Sequence, residues 1–313
     1  LQWSETKLIT RGTPLHVARA YRIGIVCRVR LLIWQVRVLL SRSFPRCNEA
    51  EPVIVTVVVP AYNEEEHIGA TLQGIVGALR TAKLASEIVV VLDLVPGDGT
   101  ASHVRRASET YSEIRVIERR GRRGVGDAVR RGIKEARGKI VVIAMGDQSE
   151  DPADIVRLVT RAENFDVVFT NRFKRGRPLG YPRLKYVANR CCNLAVKLMF
   201  HVPYSDTTNA FKAYRKEVLD CMNLSSAGFE IFLEIPLKTI LLGDVRTDEI
   251  DVHHVIRKKK SAKLSLITDG YKYVRLLLSL LKSVRAGGHP RGVPLQGNDG
   301  ARSSGAAAGH PGT

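Results

Sequence analysis

An acidic segment follows a short apolar run in KIVVIAMGDQSEDP, residues 139–152. The run is rich in β-branched residues and stops shortly before Asp147, which is the pattern of a buried parallel strand. In open α/β sheets ligands bind beyond the carboxyl ends of the strands, so Asp147 lies where a metal ion or a substrate would be held. A second interpretation is equally open, in which Ser149, Glu150 and Asp151 only cap the following helix.

The first predicted strand also ends in polar residues, in VVPAYNEEEHI. Pro60 fixes the turn, Tyr62 offers a flat ring and Glu64 offers a carboxylate. Together they would hold a nucleoside by stacking and by hydrogen bonds to ring or sugar groups. Asn63 and Glu66 also match a capping signal for the next helix, and both interpretations stand.

Two later strands are followed by different polar segments. Asp93 lies at the carboxyl end of the second strand, in VVVLDLVPGDGT. The third strand leads into RRGRRGVGDAVRRG, a glycine-rich and strongly basic segment that opens onto a helix. Glycines allow close approach of the backbone and a helix N-terminus attracts phosphate, although this loose pattern alone is a weak indication.

These polar segments separate elements that alternate between strand and helix. Short β-branched runs predict strands at 53–59, 87–92, 114–118, 139–145 and 166–170. Amphipathic stretches predict helices at 68–79, 100–110, 128–136 and 153–162. This order predicts an α/β fold with a mainly parallel sheet and helices on both faces. Beyond residue 170 the order changes, with helices predicted at 184–200 and 266–281 and a strand at 245–255.

The chain has 313 residues, 44% of them hydrophobic, and a formal net charge of +18. It can therefore bury a sizeable core, and its charge predicts an anionic partner: nucleic acid, an acidic membrane surface or a phosphorylated substrate. Nucleic acid ranks last, because aromatic residues make up only 6% of the chain and the basic residues do not alternate with them. Five cysteines without CxxC spacing fit a reducing cytosol and predict no zinc site.

The two ends of the chain differ from its middle, which predicts a basic N-terminal segment at 1–50, an α/β domain at 51–283 and a tail at 284–313. Residues 17–40 have the pattern of an amphipathic helix, which would lie in a membrane interface or pack on the protein's own core. A third interpretation is that the first fifty residues belong to a fragment or a misassigned start. No uninterrupted apolar stretch of about 18 residues occurs, so no spanning helix is predicted. The tail is rich in Gly, Pro, Ser and Ala and is predicted to be disordered.

Seven segments follow one another in a recognisable order along residues 53–281. They are VPAYNEEEHI, the strand ending at Asp93 with DGT behind it, GRRGVGDAVRRGIKEARG, MGDQSEDP, TNRFKRG, YSDTTNAFKAYRKEVL and RKKKSAKL. Taken together, these segments resemble the family 2 glycosyltransferases, and most closely the dolichol-phosphate mannosyltransferase group. The resemblance implies a GT-A fold, which is a Rossmann-like nucleotide-binding α/β sandwich. It also implies transfer of a sugar from a nucleotide donor to a polyprenyl phosphate at a membrane.

The resemblance assigns roles to acidic and aromatic residues on the donor side. Pro60, Tyr62 and Glu64 match the family's nucleotide-binding turn, and Asp93 matches the acid after its second strand. Asp147 matches the second aspartate of the DxD motif, which holds a divalent cation on the donor diphosphate. The resemblance therefore implies Mg2+ or Mn2+ as a cofactor.

Basic residues in two of the segments match positions that grip donor phosphates. They are Arg172 in TNRFKRG, and Arg257 and Lys263 in RKKKSAKL. Arginine suits this work because its planar fork pairs two oxygens at once. Any one of these cations, taken singly, also fits an ordinary solvated surface charge.

A further segment resembles the family's acceptor-phosphate region and contains Lys185, Asn189 and Arg190, and Asp206 with Thr207 resembles its SDxT motif. A phosphate acceptor is already ionised at neutral pH, so it attacks the anomeric carbon without a strong general base. The basic residues then serve to bring two anions together by positioning and by charge compensation. Direct attack of this kind predicts inversion at the anomeric centre.

The chain departs from the family pattern at two places. Met145 stands where the DxD motif has its first aspartate, and residues 93–96 read DLVP in place of DDGS. Asp147 would then hold the metal with Ser149, Glu150, donor phosphates and water, because magnesium commonly uses few carboxylates. A catalytically weak relative is the other interpretation, and the remaining matches favour activity.

We therefore expect an inverting hexosyltransferase that uses GDP-mannose and a polyprenyl or dolichyl phosphate, peripheral on the cytoplasmic face of a membrane. A family 2 transferase that uses a UDP-sugar and a soluble or glycan acceptor is the alternative. The third hypothesis is a non-catalytic basic binding protein that has the same fold.

Overall fold

The computed structural model describes residues 54–120, 124–178, 180–243, 245–255 and 268–285. The helix predicted within 17–40, the predicted tail beyond residue 285, and the predicted phosphate-binding residues Arg257 and Lys263 lie outside these ranges.

Strands and helices alternate along the first half of the described chain, as the sequence predicts. The strands are β1 (Val55–Ala61), β2 (Ser86–Leu94), β3 (Ile114–Arg120), β4 (Ile140–Ile143), β5 (Val167–Asn171), β6 (Lys212–Arg215) and β7 (Thr247–Asp251). The helices are α1 (Ile68–Thr81), α2 (Thr100–Thr110), α3 (Val125–Glu135), α4 (Pro152–Ala162), α5 (Arg183–Phe200), α6 (Lys216–Asp220), α7 (Ile231–Leu241) and α8 (Thr268–Arg285). None of these helices is both long enough and apolar enough to cross a bilayer.

The described strands form one sheet in the order β3-β2-β1-β4-β6-β5-β7. Its pairs are parallel except at β6, which runs antiparallel to both β4 and β5. The predicted α/β class with a mostly parallel sheet is therefore confirmed. The sequence did not predict β6, because KAYR is short and polar, and the strand predicted at 245–255 is regular only over the five residues of β7.

Both faces of the sheet are covered, which explains why β1 reads as a continuous apolar run. Val55, Val57 and Val59 pack into the cluster formed with α1, α2 and α4. Val58 points the other way, into the cluster formed with α3, α5, α7 and α8. Full burial of one such side chain stabilises the fold by about 1.5–3 kcal/mol.

The reversed direction of β6 decides which residues meet at the edge of the sheet. Lys212, the first residue of β6, pairs with Ile143, the last residue of β4. The segment that precedes β6, residues 205–211, therefore lies beyond the carboxyl ends of β4 and β5. The residues that follow β4 and β5 therefore lie at the same edge of the sheet as the residues that precede β6.

Candidate active site

Asp147 follows β4 at this edge and shapes its own turn. The Ser149 N–H donates to Asp147 Oδ1 at 3.1 Å, and Gln148 between them is left-handed with φ 56°. Helix α4 is capped by Asp151 instead, whose Oδ1 accepts the Ala153 N–H at 2.9 Å. The two interpretations of the segment thus belong to different residues, since Asp151 caps the helix and Asp147 stays at the strand end.

Glu150 is a partly buried acid beside this turn, and its Oε2 accepts the Met145 N–H at 3.3 Å. Burial, and after it the charge of Asp147, raise the pKa of Glu150 to about 8. The carboxyl group therefore keeps its proton near pH 7, and a bound cation would favour its ionised form. The sequence offered Glu150 both as a capping residue and as a partner of Asp147 in holding a metal, and the structure places it beside the turn of Asp147.

The described residues contain no group of three or more His, Cys, Asp and Glu side chains arranged to hold a metal ion. Magnesium commonly uses one or two carboxylates and takes its other ligands from substrate phosphates and water. Asp147 and the neighbouring Glu150 fit that donor set, so Mg2+ or Mn2+ fits here together with a diphosphate. Met145 does not contribute, because its partly buried side chain packs on the apolar cluster around α3, α5 and α7.

The predicted nucleoside turn lies directly against the segment that contains Asp147. Pro60 is buried within β1, Tyr62 is partly buried, and the Glu64 N–H donates to Thr100 Oγ1 at 2.7 Å. A Cβ added to Gly146 would lie 3.5 Å from Glu64 Cγ and 3.6 Å from the Pro60 carbonyl oxygen. The structure thus brings the first two predicted parts of the donor site together.

The prediction that Asn63 and Glu66 cap helix α1 is wrong. The N-cap residue is His67, and no side chain makes a cap hydrogen bond there. Asn63 adopts a left-handed conformation with φ 52° in the turn before the helix, which begins at Ile68 as predicted. The Glu64 carbonyl oxygen instead accepts the backbone N–H groups of His67 and Ile68, at 3.0 and 2.9 Å.

Asp93 lies near the carboxyl end of β2, as predicted, but it forms a buried ion pair with Arg119. The distance from Arg119 Nη2 to Asp93 Oδ1 is 2.6 Å, and Arg119 Nη1 donates to Asp127 Oδ2 at 2.7 Å. Asp93 and Arg119 are register partners on β2 and β3. This pairing links β2 to the first turn of α3, and sequence reasoning missed it because the register of parallel strands is not visible in the sequence.

The glycine-rich segment before α3 packs against the backbone of residues 226–228. The Gly126 N–H donates to the Ala227 carbonyl oxygen at 2.8 Å, and a Cβ added to Gly126 would lie 2.4 Å from the Ser226 carbonyl oxygen. Close packing is therefore a sufficient reason for glycine at position 126. Residues 121–123 of the same segment lie outside the described ranges.

Arg172 follows β5 and forms a two-pronged ion pair with Asp206. Nε and Nη2 donate to Oδ2 and Oδ1 at 2.7 and 2.8 Å, and the Arg172 backbone N–H adds a third bond to Oδ2 at 3.1 Å. The side chains are only 10% and 0% exposed. Burial opposes ionisation of Asp206, but the adjacent Arg172 guanidinium outweighs it and holds the pKa below its ordinary value.

Helix α5 brings the predicted acceptor residues to the same segment. Asn189 Nδ2 donates to Thr208 Oγ1 at 2.9 Å, and Arg190 Nη1 donates to the Ser205 carbonyl oxygen at 3.1 Å. Lys185 lies one turn before Asn189 and is partly buried. Arg172 and two of the predicted acceptor residues, Asn189 and Arg190, therefore contact one short segment, residues 205–208.

Asn193, which the sequence did not single out, anchors that segment from the next turn of α5. Its Oδ1 accepts both the backbone N–H and the Oγ1 hydroxyl of Thr207 at 2.7 Å. Its Nδ2 donates to Asn189 Oδ1, also at 2.7 Å. The four-residue spacing of the two asparagines is a helical signal that could have revealed this role.

Phe173 is a second residue that sequence reasoning missed. Its ring centroid lies 5.0 Å from Arg172 Cζ and 5.6 Å from Arg190 Cζ. The rings of Tyr181 and Tyr186 meet it edge-on, with centroids 5.7 and 5.5 Å away. One aromatic ring thus interacts with two cations of the candidate site.

Lys212, at the start of β6, is a fully buried cation under this segment. Its Nζ donates to the Thr207 carbonyl oxygen at 3.0 Å and to the Asn209 carbonyl oxygen. Burial lowers the pKa of Lys212 to about 7, although the nearby charge of Asp206 acts in the opposite direction. The sequence did not indicate this residue, because β6 itself was not predicted.

The chain that leads into RKKKSAKL runs beside the turn of Asp147. The Val255 N–H donates to the Ser149 carbonyl oxygen at 3.1 Å, and His254 pairs with Glu150 in an isolated antiparallel bridge. Burial, and after it the charge of Arg172, lower the pKa of His254 to about 4. The imidazole is therefore neutral near pH 7.

Comparison with known protein families identifies the family of this chain. The family model described as Glycosyl transferase family 2 matches residues 56–222. The chain belongs to glycosyltransferase family 2. It is 30% identical over 73% of its length to the dolichol-phosphate mannosyltransferase of Pyrococcus furiosus, of which it covers 64%. It is 28% identical over 67% of its length to the undecaprenyl-phosphate mannosyltransferase of Micrococcus luteus, of which it covers 87%. The chain thus spans less than two thirds of the first of these relatives.

Solved structures show the same fold as this family 2 glycosyltransferase. Glucosyl-3-phosphoglycerate synthase from Mycobacterium tuberculosis, in complex with UDP, superposes with a TM-score of 0.57 at 17% identity, covering 76% of this chain and 87% of that one. The same enzyme in complex with Mg2+ and UDP gives a TM-score of 0.59 at 18% identity, covering 76% and 86%. The predicted GT-A fold is confirmed.

The Arg172–Asp206 pair predicts a non-additive mutant cycle in this glycosyltransferase. Arg172→Ala or Asp206→Ala leaves a buried charge without its partner, so each should lower the free energy of unfolding by about 3–5 kcal/mol. The double variant should lose less than the sum, as measured by urea denaturation. Arg246→Ala is the control, because Arg246 pairs with Asp166 at 3.1 Å but is 56% exposed, and this variant should leave the free energy of unfolding nearly unchanged. Additive losses in the cycle would contradict the pairing.

The buried Lys212 predicts a pH dependence of stability. Between pH 7 and its unfolded-state pKa of about 10.4, the unfolded chain binds a proton that the folded chain lacks, so this group makes stability rise with pH. Lys212→Met should remove that slope, which is at most about 1.4 kcal/mol per pH unit. Urea denaturation of both proteins across this range measures the difference. Parallel curves would show that Lys212 keeps its ordinary pKa.

Proposed function

We propose that this family 2 glycosyltransferase transfers a hexose, with mannose from GDP-mannose as the first choice, to a polyprenyl or dolichyl phosphate. One observation carries the proposal. Arg172, of the donor type, and Asn189, of the acceptor type, contact the same segment through Asp206 and Thr208. An enzyme that joins a sugar diphosphate to a second phosphate needs these two groups within one site.

The donor half of the proposal uses the strand ends. Pro60, Tyr62 and Glu64 would hold the nucleoside, and Asp93 would support it from the adjacent strand β2. Asp147 would hold Mg2+ or Mn2+, and a bound cation would neutralise the diphosphate of the leaving nucleotide. These roles agree with the close approach of the Pro60–Glu64 turn to the segment of Asp147.

Cations would complete the donor half. Arg172 is our choice for contact with the donor phosphates. Because Asp206 accepts from Nε and Nη2 of the guanidinium group, a phosphate would bind at Nη1. Arg257 and Lys263 remain proposed on their sequence motif alone. Of the residues before that motif, Val255 donates its backbone N–H to the Ser149 carbonyl oxygen.

The acceptor half would use Lys185, Asn189 and Arg190 to position the acceptor phosphate. An ionised phosphate oxygen then attacks the anomeric carbon. The new carbon–oxygen bond forms as the bond to the β-phosphate oxygen of the donor breaks, and the nucleoside diphosphate leaves with the electron pair. No strong general base is needed, so positioning and charge compensation by these side chains supply the catalysis.

The names of the relatives support a lipid acceptor, since both the archaeal and the bacterial relative are polyprenyl-phosphate mannosyltransferases by name. We therefore place the enzyme on the cytoplasmic face of a membrane as a peripheral protein. A UDP-sugar and a soluble acceptor form the alternative that the experiments below separate.

A catalytically weak relative is the second candidate, and one observation favours it. Met145 replaces a metal-binding carboxylate with a side chain that packs on the apolar core. The loss of one ligand would weaken binding of the cation. In place of the missing carboxylate, the proposal uses Glu150, which lies beside the turn of Asp147.

Asp147→Ala should abolish the metal-dependent part of donor binding. In thermal-shift measurements with GDP-mannose or UDP-glucose, with and without Mg2+, a ligand at 100 times its Kd stabilises the folded state by about 2.7 kcal/mol. The wild type should show a larger shift with Mg2+ and with the correct nucleotide sugar. The variant should show the same small shift with and without the metal.

Asp151→Ala is the matched control for that experiment. It removes the cap of α4 and should cost about 1 kcal/mol of stability, while the metal-dependent shift stays intact. An unchanged Mg2+-dependent shift in Asp147→Ala would remove Asp147 from the metal site. Equal shifts with all nucleotide sugars tested would leave the donor assignment without support.

The transferred sugar should have the opposite anomeric configuration to the donor. Single displacement by the acceptor phosphate inverts the reacting carbon, so an α-linked donor should give a β-linked lipid phosphate. Incubation with GDP-mannose and a short-chain polyprenyl phosphate, followed by NMR of the product, measures this. A product with the donor's configuration would rule out direct attack.

A further inference from the structure

Helix α5 exposes an apolar stripe on the side that faces away from the site. Its large members are 71, 55, 56 and 68% exposed, in the order Leu184, Val187, Leu194 and Leu198. Cys191, between them, is also exposed. Spacings of three and four residues place all five side chains on one side of the helix. We call these five residues the α5 apolar stripe.

The opposite face of α5 already fixes the helix to the protein. Asn189 and Asn193 hold residues 207 and 208 through hydrogen bonds, and Val196 and Phe200 are buried in the core. The stripe therefore adds nothing to the packing of the described residues. A contiguous exposed apolar surface of this kind marks a site of interaction with another molecule or with a membrane.

Cations accompany the stripe along its whole length. Arg183, Arg190 and Lys197 recur every seven residues and so form a line beside it. The helix contains a fourth cation, Lys185, and no acidic residue. An apolar stripe bordered by cations is the pattern of a helix that lies in the interface of an anionic membrane.

We propose that the α5 apolar stripe inserts into the headgroup region of an anionic lipid bilayer. A second copy of this chain fits less well, because two α5 helices packed through the stripe would bring their cations together without an acid between them. Anionic headgroups, in contrast, complement the line of Arg183, Arg190 and Lys197.

This assignment deepens the proposed function and rests on it for the identity of the acceptor. Arg190, one of the proposed acceptor residues, belongs to the line of cations beside the stripe. With the stripe at the depth of the headgroups, Arg190 would meet the phosphate of a lipid whose chain remains in the bilayer. The helix thereby sets the height of the acceptor phosphate relative to the donor site.

Cys191 provides a native reporter in the middle of the stripe. In a full-length variant with Cys27, Cys47, Cys192 and Cys221 replaced by serine, Cys191 is labelled with an environment-sensitive fluorophore. Vesicles of phosphatidylcholine, with and without phosphatidylglycerol, are added without donor or acceptor. We expect a shift to shorter wavelength, and quenching by acyl-chain spin labels, only with the anionic vesicles.

A variant that retains only Cys221, which is also exposed, is the matched control and should show neither effect. Equal changes at both positions, or none at Cys191, would overturn the proposal. A shift at Cys191 that grows with protein concentration in the absence of vesicles would assign the stripe to a second copy. A blue-shifted probe at every concentration without vesicles would show that another part of the chain covers it.

Activity separates this inference from the proposed function. Leu194→Glu should lower transfer to a polyprenyl phosphate in anionic vesicles by roughly tenfold or more and leave transfer to a water-soluble short-chain acceptor unchanged. Leu242→Glu, which changes a leucine that is 48% exposed on another element, should affect neither. If the wild type transfers sugar to no polyprenyl phosphate, the proposed function fails, whereas the Cys191 probe still decides the membrane surface. Equal losses with both acceptors would overturn the role of the stripe.

Discussion

The buried ion pair between Arg172 and Asp206 is the interaction on which the arrangement of the site depends. Removing two charges from water is costly, and three hydrogen bonds between the residues offset much of that cost. The pair ties the end of β5 to the segment before β6, and Thr208 extends the link to Asn189 on α5. Donor-type and acceptor-type groups are consequently held in one geometry before any substrate binds.

The site divides into two halves of different electrostatic character. Around Arg172, Asp206 pairs with the guanidinium, and the buried Lys212 lies beneath both, with its pKa lowered to about 7 by burial. Beside Asp147, burial and then the charge of Asp147 raise the pKa of Glu150, and a cation bound there would favour its ionised form. The first half therefore holds buried cations in fixed positions, and the second offers carboxyl groups to a bound cation. A sugar diphosphate with its metal would bridge the two.

The sequence predicted the parts of the molecule that depend on local pattern. Buried parallel strands and amphipathic helices identify themselves by composition and period, and Asp147 follows from its place at a strand end. Contacts between distant segments were not predictable: the partners of Asp93 and Arg172 depend on register and on a strand too short and polar to recognise. For the same reason Phe173 and Lys212 escaped notice, since each gains its role from groups far away in the sequence. Asn63 and Glu66 match a capping signal, but no side chain makes a cap hydrogen bond at the start of α1.

The antiparallel direction of β6 affects how this scaffold can change. In the proposed assignment, residues that follow β1, β2 and β4 belong to the donor side, whereas Asp206 and Thr208, which come before β6, contact Arg172 and Asn189. Insertions or substitutions between α5 and β6 would therefore displace Arg172 and Asn189 together, while the strands keep their register. The proposed donor and acceptor sides share this segment, so a change in it during evolution would affect both.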